Sequence, residues 1–322
     1  MKAKLIMTVE QAESDHEAWE KLRMSGIGGS DVAVIMGHNP WKKPYALYCE
    51  KVGLVEPEDL SDNEAVEWGI ELEPSVAKKF CEKSGKKVKR WGTVCNPDAP
   101  WQMANFDRLI IGEDCGLECK TANAFKQEEW EGDNVPDAYY CQCQWYAHLS
   151  GFEGWWIACL IGGQHFEYKY IPRNDAFIAE MLEKVTDFWE NHVLAKVPPE
   201  VDGSESCTDT LKKVYPESNG LEIALPSQAN EIIARLDDLD KTAKLIKEQQ
   251  EEAKNELKLL LGENEVGIIG DRKVTWKTQK GRASIDSKKL QKEYKDVYEA
   301  CVKYGEPTRV MRINNGTFWR TA

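Results

Sequence analysis

Three residues stand out for chemistry: Asp107, Glu118 and Lys120, in the stretch Ala104-Asn105-Phe106-Asp107-Arg108-Leu109-Ile110-Ile111 followed after a turn by Cys115-Gly116-Leu117-Glu118-Cys119-Lys120-Thr121. Both flanks read as β-strands joined by Gly112-Glu113-Asp114. Side chains alternate along a strand, so Glu118 and Lys120 share one side while Cys119 turns to the core. If the strands pair, Asp107 approaches Glu118. Two carboxylates at that range repel, and a hard divalent cation with oxygen ligands is the natural neutraliser. The backbone carbonyl of Cys119 would be a third ligand, and Lys120 would orient an attacking water and help to deprotonate it. That set suits metal-assisted phosphodiester hydrolysis. Alone, however, such a triplet is more often a hairpin with a surface salt bridge.

Three other segments strengthen the reading. Glu73, in Gly69-Ile70-Glu71-Leu72-Glu73-Pro74, falls on the same helical face as Ala77 and Phe80. A carboxylate on an apolar stripe needs a partner, and a metal would be one. Gln142, in Tyr139-Tyr140-Cys141-Gln142-Cys143-Gln144-Trp145, is placed to hydrogen-bond a water or phosphate, or else to bridge two helices. Arg23 and the glycine-rich turn ending at Ser30 offer a guanidinium, free amides and a hydroxyl at a helix start, which suits a terminal phosphate.

The elements that must position these groups are legible in outline. Helices are expected over 9–24, 32–36 (capped by Ser30 or Asp31), 45–52, 64–84, 136–150 and 175–194. Strands are expected over 88–94, 103–111, 115–121, 155–161 and 166–171. This order predicts an α/β (α+β) core of about 200 residues. Residues 196–219, rich in Pro, Ser, Gly and Glu, read as a linker, which divides the chain into 1–202 and 203–322. Beyond it Ile232, Leu239, Ile246, Ala253 and Leu260 recur every seven residues, with Leu236, Ala243, Gln250 and Leu257 in the alternate row. The commoner form of that pattern is a helix packed on its own domain; a helical hairpin or an intermolecular coil are the others. A hairpin at 266–277, a helix at 287–304 and a strand at 308–313 complete the extension.

Composition sets limits. The 322 residues are 42% hydrophobic and 30% charged, within the folded range. No run approaches 18 apolar residues and no signal peptide opens the chain, so a membrane partner is not expected and a cytoplasmic protein is. The ten cysteines then read as buried thiols; pairs such as Cys115 and Cys119, or Cys141 and Cys143, lack the spacing of a zinc or iron–sulfur site. The formal charge of −13 argues at first against nucleic acid. Its distribution is uneven: residues 203–322 hold 21 basic and 20 acidic groups, which leaves 21 and 35 in the first 202. Within that acidic part, Lys78, Lys79, Lys83, Lys86, Lys87, Lys89 and Arg90 form a basic run after Glu73, either a solvated helix end or a contact to a DNA backbone. Trp41 and Tyr45 would stack on a base or wedge a duplex end, although core packing is the usual fate of such aromatics.

HEAWEKLRMSGIGGSDVAVIMGHNPWKKPYALYCEKVG, WGIELEP, the Asp107…Glu118-x-Lys120 set and YYCQCQW, in that order, closely resemble the YqaJ-type viral recombinase nucleases. Those are relatives of phage lambda exonuclease in the PD-(D/E)xK superfamily, and the resemblance spans about residues 8–200. It implies a restriction-endonuclease-like core, a central mixed sheet flanked by helices, with a C-terminal helical and hairpin extension. It implies a Mg²⁺-dependent 5′-to-3′ exonuclease, with Mn²⁺ as a substitute ion, acting on double-stranded DNA ends with two ions and leaving 3′ single strands for recombination. Asp107, Glu118, the Cys119 carbonyl and Glu73 would hold the ions, Lys120 would position the water, and Gln142 would close the site. Arg23 and Ser30 would hold the 5′ phosphate; Trp41, Tyr139, Lys86 and Lys87 are further candidate DNA contacts. Implied partners are a single-strand annealing protein and further copies of the chain in a trimeric ring, in the cytoplasm of a bacterial host. Phe106 and Arg108 depart from the Pro and Gly that many relatives carry beside the aspartate; Arg108 is expected to point away from Asp107. The competing readings are a structure-specific endonuclease of the same superfamily and a non-catalytic scaffold that binds DNA ends or the annealing protein.

Overall fold

The computed structural model describes residues 1–305 and 307–313. Two compact units are present, Met1–Pro216 and Glu217–Ala322.

The first unit opens with β1 (Lys4–Thr8), α1 (Val9–Ser14) and α2 (His16–Met24), where a single helix over 9–24 was expected. Asp15 makes the difference: its own backbone leaves the helical region, and its carboxylate accepts the Ala18 N–H to start α2 afresh. There follow α3 (Gly29–Ile35), α4 (Pro44–Lys51), α5 (Glu64–Ser84), β2 (Val88–Asn96), β3 (Ala99–Ile110), β4 (Gly116–Ala122) and a 3₁₀ turn over Ala124–Trp130. Then come α6 (Asp137–Ser150), β5 (Gly154–Ile161), β6 (His165–Pro172) and α7 (Asp175–Asp187), which widens into a π-helical stretch over Phe188–Leu194. The cap of α3 is Gly28, not Ser30 or Asp31; Asp31 instead reaches back to accept the Gly28 N–H.

Six strands form one mixed sheet in the order β1-β2-β3-β4-β5-β6, antiparallel except for β4 beside β5. This is the expected α/β architecture, a central mixed sheet with flanking helices. Alternation along β5 splits the core between the two faces: Ile157, Cys159 and Ile161 join the cluster under α6, and Ala158 joins the one under α5 with Val76, Ala77 and Phe80. Burying Phe80 fully contributes about 1.5–3 kcal/mol and fixes the roll of α5, hence the place of Glu73. Trp155 centres the larger cluster, with its ring 4.7 Å from Phe106 and 5.2 Å from Tyr146. Eight cysteines are buried free thiols, and burial pushes Cys141 and Cys159 up to about 12.

The stretch over 196–219 is not all linker. It contains α8 (Glu205–Val214), whose Cys207 and Thr210 are buried and which packs on α4, so the first unit continues to Pro216 rather than residue 202. Its short apolar stripe was masked by the flanking Pro, Ser and Gly.

The second unit holds α9 (Gln228–Leu261), the hairpin β7 (Val266–Ile269) and β8 (Arg272–Thr275), α10 (Ser287–Glu293) and α11 (Lys295–Cys301). The helix expected over 287–304 breaks at Tyr294, whose non-helical backbone (φ −136°, ψ 57°) ends one helix and begins the other. The strand expected at 308–313 is not formed, and the β7–β8 ladder involves those two strands alone. The expectation that α9 packs its apolar stripe on its own domain also fails: Ile232, Leu239, Ile246, Leu257 and Leu260 are exposed, and Leu261 is the buried residue. No helix among the described residues is long and apolar enough to cross a membrane.

Gly116 has no room for a side chain, since a Cβ there would lie 2.0 Å from the Trp155 ring. Gly116→Ala should therefore cost about 1–3 kcal/mol by overpacking. Urea unfolding checks this, and an unchanged midpoint would contradict the packing described.

Candidate active site

The site lies where β3 and β4 part. Their ladder comprises Leu109–Gly116 and Arg108–Leu117. Beyond it the free edge of β3 is taken by the glycine-rich turn: Ile27 donates to the Trp101 carbonyl (2.7 Å) and accepts from Met103 N–H (2.9 Å). Gly26 is required for this approach, because a Cβ would fall 2.3 Å from the Trp101 carbonyl oxygen. In the fork so opened, the Asp107 carboxylate accepts the Cys119 N–H at 2.9 Å, replacing a ladder bond with a side-chain bond. The N–H and C=O of one strand residue leave by the same edge, so the Cys119 carbonyl also faces the fork.

Groups from both faces of the sheet meet there. From the α6 face, Glu118 is 2% exposed and its Oε1 accepts from Lys120 Nζ (2.5 Å) and Gln142 Nε2 (2.8 Å). Gln142 Nε2 also donates to the Tyr146 hydroxyl (2.6 Å), which donates to the Asn105 carbonyl (3.1 Å). Lys120 Nζ sits 5.0 Å over the Tyr139 ring. From the α5 face, Glu73 pairs with Arg108 Nη1 at 2.5 Å, and the same nitrogen donates to the Asp107 carbonyl at 2.8 Å. A cavity of about 190 Å³ opens here, lined by Glu73, Asp107 and Arg108 and by His16 and Trp19 of α2.

The electrostatics ask for a cation. Glu118 Oε2 is buried and has no hydrogen-bond partner. Such an orphaned carboxylate oxygen is costly unless something positive approaches. Burial, then the neighbouring Glu118 and Glu73 carboxylates, push Asp107 well above the ordinary carboxylate range. Burial disfavours the Lys120 ammonium, but Glu118 and Asp107 outweigh it and hold the group above its usual value, so it stays charged. Two carboxylates and a carbonyl are hard oxygen donors that fit a magnesium-like ion. Among the described residues, no three His, Cys, Asp or Glu side chains converge into a ligand cluster by themselves. Glu73, the third carboxylate, is turned to Arg108.

Asp107, Glu118, Lys120 and Gln142 are thus brought together, with Tyr139 beside Lys120. Arg23, at the end of α2, and Ser30, at the start of α3, are exposed and flank the turn that is tied to the same place: a Cβ on Gly29 would lie 2.7 Å from Tyr146 and 3.0 Å from Gln142. Arg23 lies 4.7 Å over the Trp19 ring. Asp31 is half-buried, and the loss of solvent alone would raise it, yet Lys51 at 2.9 Å, the Gly28 N–H and Arg23 hold it below the carboxylate range. Trp41 is 79% exposed, against the expectation of core packing, while Tyr45 is buried. Lys86 and Lys87 are not at the fork. Lys86 pairs with Glu113 at 2.7 Å, and the Lys87 carbonyl accepts the Ile111 N–H, both at the hairpin end of β4. Two residues were missed. Tyr146 lies one helical turn after Gln142, a signal available in the sequence. Arg108 was expected to point away, and its side chain does leave Asp107 for the other face, but there it meets Glu73 from a distant helix.

The comparisons with known proteins agree in family. The YqaJ-like viral recombinase domain matches residues 18–153. The Bacillus subtilis (strain 168) protein YqaJ is 36% identical over 298 residues, 91% of this chain and 93% of that protein. The chain belongs to the YqaJ-like viral recombinase family. Among solved structures, an alkaline exonuclease from Laribacter hongkongensis is 22% identical and covers 56% of this chain and 94% of its own, with a TM-score of 0.49. A phage-related exonuclease from Haemophilus somnus is 14% identical, with 53% and 95% covered and a TM-score of 0.42.

An Asp107 carboxyl that retains its proton must lose it to bind a cation. Binding of Mg²⁺ should release protons and weaken as pH falls through the raised Asp107 value. Calorimetric titration in buffers of different ionisation enthalpy measures this; a heat independent of buffer would contradict it.

Proposed function

We propose that this protein is a divalent-metal-dependent deoxyribonuclease that degrades double-stranded DNA from its 5′ ends. The observation that carries the reading is the fork itself: Asp107 and the orphaned Glu118 oxygen on one side, with Lys120 and Gln142 fixing the other Glu118 oxygen. Membership of a viral recombinase family supports DNA as the substrate.

Asp107, Glu118 Oε2 and the Cys119 carbonyl would hold Mg²⁺, with Mn²⁺ as a substitute. Bound there, the ion would polarise the phosphodiester and lower the pKa of an attacking water. Gln142 and Lys120 grip Glu118 Oε1, which leaves Oε2 aimed into the fork. Lys120, charged at neutral pH, donates rather than accepts: it orients the water and offsets negative charge as the phosphorus–oxygen bond breaks. Tyr146 holds the Gln142 amide in the orientation that donates to Glu118. The resemblance implies a second ion on the Glu73 side, where Glu73 is paired in this structure. Arg23 and Ser30 would receive the 5′ phosphate, since Ile27 and Gly29 tie the segment between them to the fork. Exposed Trp41 remains available to stack on a base. The family resemblance supports the rest of the proposal: 5′-to-3′ polarity, transfer of the 3′ strand to an annealing protein, a ring of identical chains, and action in the bacterial cytoplasm.

Glu118→Ala should abolish Mg²⁺-dependent digestion of end-labelled linear duplex, a loss beyond the roughly 10–100-fold typical for partners outside a ligand set. Retained digestion would exclude the metal assignment, and digestion of closed circular duplex by the native chain would favour an endonuclease. Arg23→Ala should slow 5′-phosphorylated ends selectively; equal slowing of 5′-hydroxyl ends would remove Arg23 from phosphate recognition.

A further inference from the structure

Arg108 has no part in the scheme above, yet it is among the few buried charged residues, 6% exposed, and its guanidinium sits at the edge of the fork. It is held there by two contacts, the Glu73 carboxylate at 2.5 Å and the Asp107 carbonyl at 2.8 Å. Val76, Ala77 and Phe80 anchor the helix of Glu73 in the core beneath, which keeps its carboxylate within reach of Arg108. An arginine keeps its charge at any working pH, so this is a permanent cation on the α5 side of the carboxylates. Lys120 plays the matching part on the α6 side. With one divalent ion bound and Asp107 ionised, the three carboxylates Glu73, Asp107 and Glu118 face the ion and two fixed positive groups, a slight positive excess that suits an incoming phosphate. A second ion beside Arg108 would meet a like charge and a carboxylate already paired.

We propose that Arg108 acts as a built-in substitute for a second cation: it neutralises Glu73, so that the site holds one divalent ion tightly at Asp107 and Glu118. Arg108 is on this account a positioning residue that sets how many ions the site takes. The inference rests on the reading of the fork as a metal site, and the two are separable by experiment.

The measurement is the stoichiometry of Mn²⁺ binding to the full chain without DNA, by calorimetry and by the loss of free-ion electron-spin resonance signal. The native protein should bind one Mn²⁺ tightly. Arg108→Met, of similar length and apolar, should bind two. Arg108→Lys should return the count to one, as should Arg108→Met combined with Glu73→Gln. Glu73→Gln alone leaves an amide oxygen to accept from the buried arginine, and serves if Arg108→Met fails to fold by circular dichroism. It should weaken the single ion by no more than roughly 10–100-fold, as for a group outside the ligand set. Two ions of comparable affinity in the native chain, an unchanged count in folded Arg108→Met, or loss of the tight ion in Glu73→Gln would each overturn the proposal while leaving the metal site standing. No Mn²⁺ bound by the native chain would overturn both.

Discussion

The parting of β3 from β4 after the Arg108–Leu117 pair is the constraint on which the rest depends. A strand has two edges, and β3 spends one on β2 along most of its length. The other is divided: β4 pairs with it at Arg108 and Leu109, and Ile27 of the glycine-rich turn takes it at Gln102. Between these the backbone of β4 turns away, and the Asp107 side chain supplies the acceptor that Cys119 N–H would otherwise lack. A continuous ladder would leave Asp107 and Glu118 on a flat sheet. The fork lets side chains from opposite faces converge on one point, which is why Glu73 and Gln142, on helices that cover different faces, both reach it.

Charge in the fork follows from that convergence. Glu118 is almost wholly buried, and a buried carboxylate is tolerated where donors satisfy it. Lys120 and Gln142 satisfy one oxygen, and the other is left over. Asp107 meets its own like-charged neighbours by holding its proton more tightly. Strain of this kind is poorly spent on stability alone, since an apolar pair would pack the same space at less cost. It is what a site looks like when its remaining partner comes from outside the chain. The acidic excess of the first 202 residues thus has a small functional component at its centre, whereas the larger part is distributed over the surface.

Local pattern was enough where local forces rule. The α5 stripe of Val76, Ala77 and Phe80, the strand alternation of β4 and β5, and the order of the four motifs each predicted what formed. Prediction faltered where a neighbour decided. Asp15 splits one helical pattern by capping, α8 forms inside a loop-like composition because α4 covers Cys207, and α9 shows a seven-residue repeat yet keeps its apolar seam exposed. Trp41 and Lys86 read alike in sequence to residues at the site, but the chain carries one to the surface and the other to the far end of β4.

The identity and spacing of Asp107, Glu118 and Lys120, with the period-two rule of strands, already determined that a lysine and a carboxylate share a side and that an aspartate stands near them. The family motifs determined the kind of protein, since they are linear and ordered. Only the tertiary structure decided which partner each group takes. Glu73 was legible as a carboxylate in need of one, and Arg108 as an unexplained neighbour of Asp107, but their pairing joins a helix to a strand 35 positions away. Side-chain partners across such separations are set by how elements pack, and packing is a property of the whole core rather than of any window of sequence.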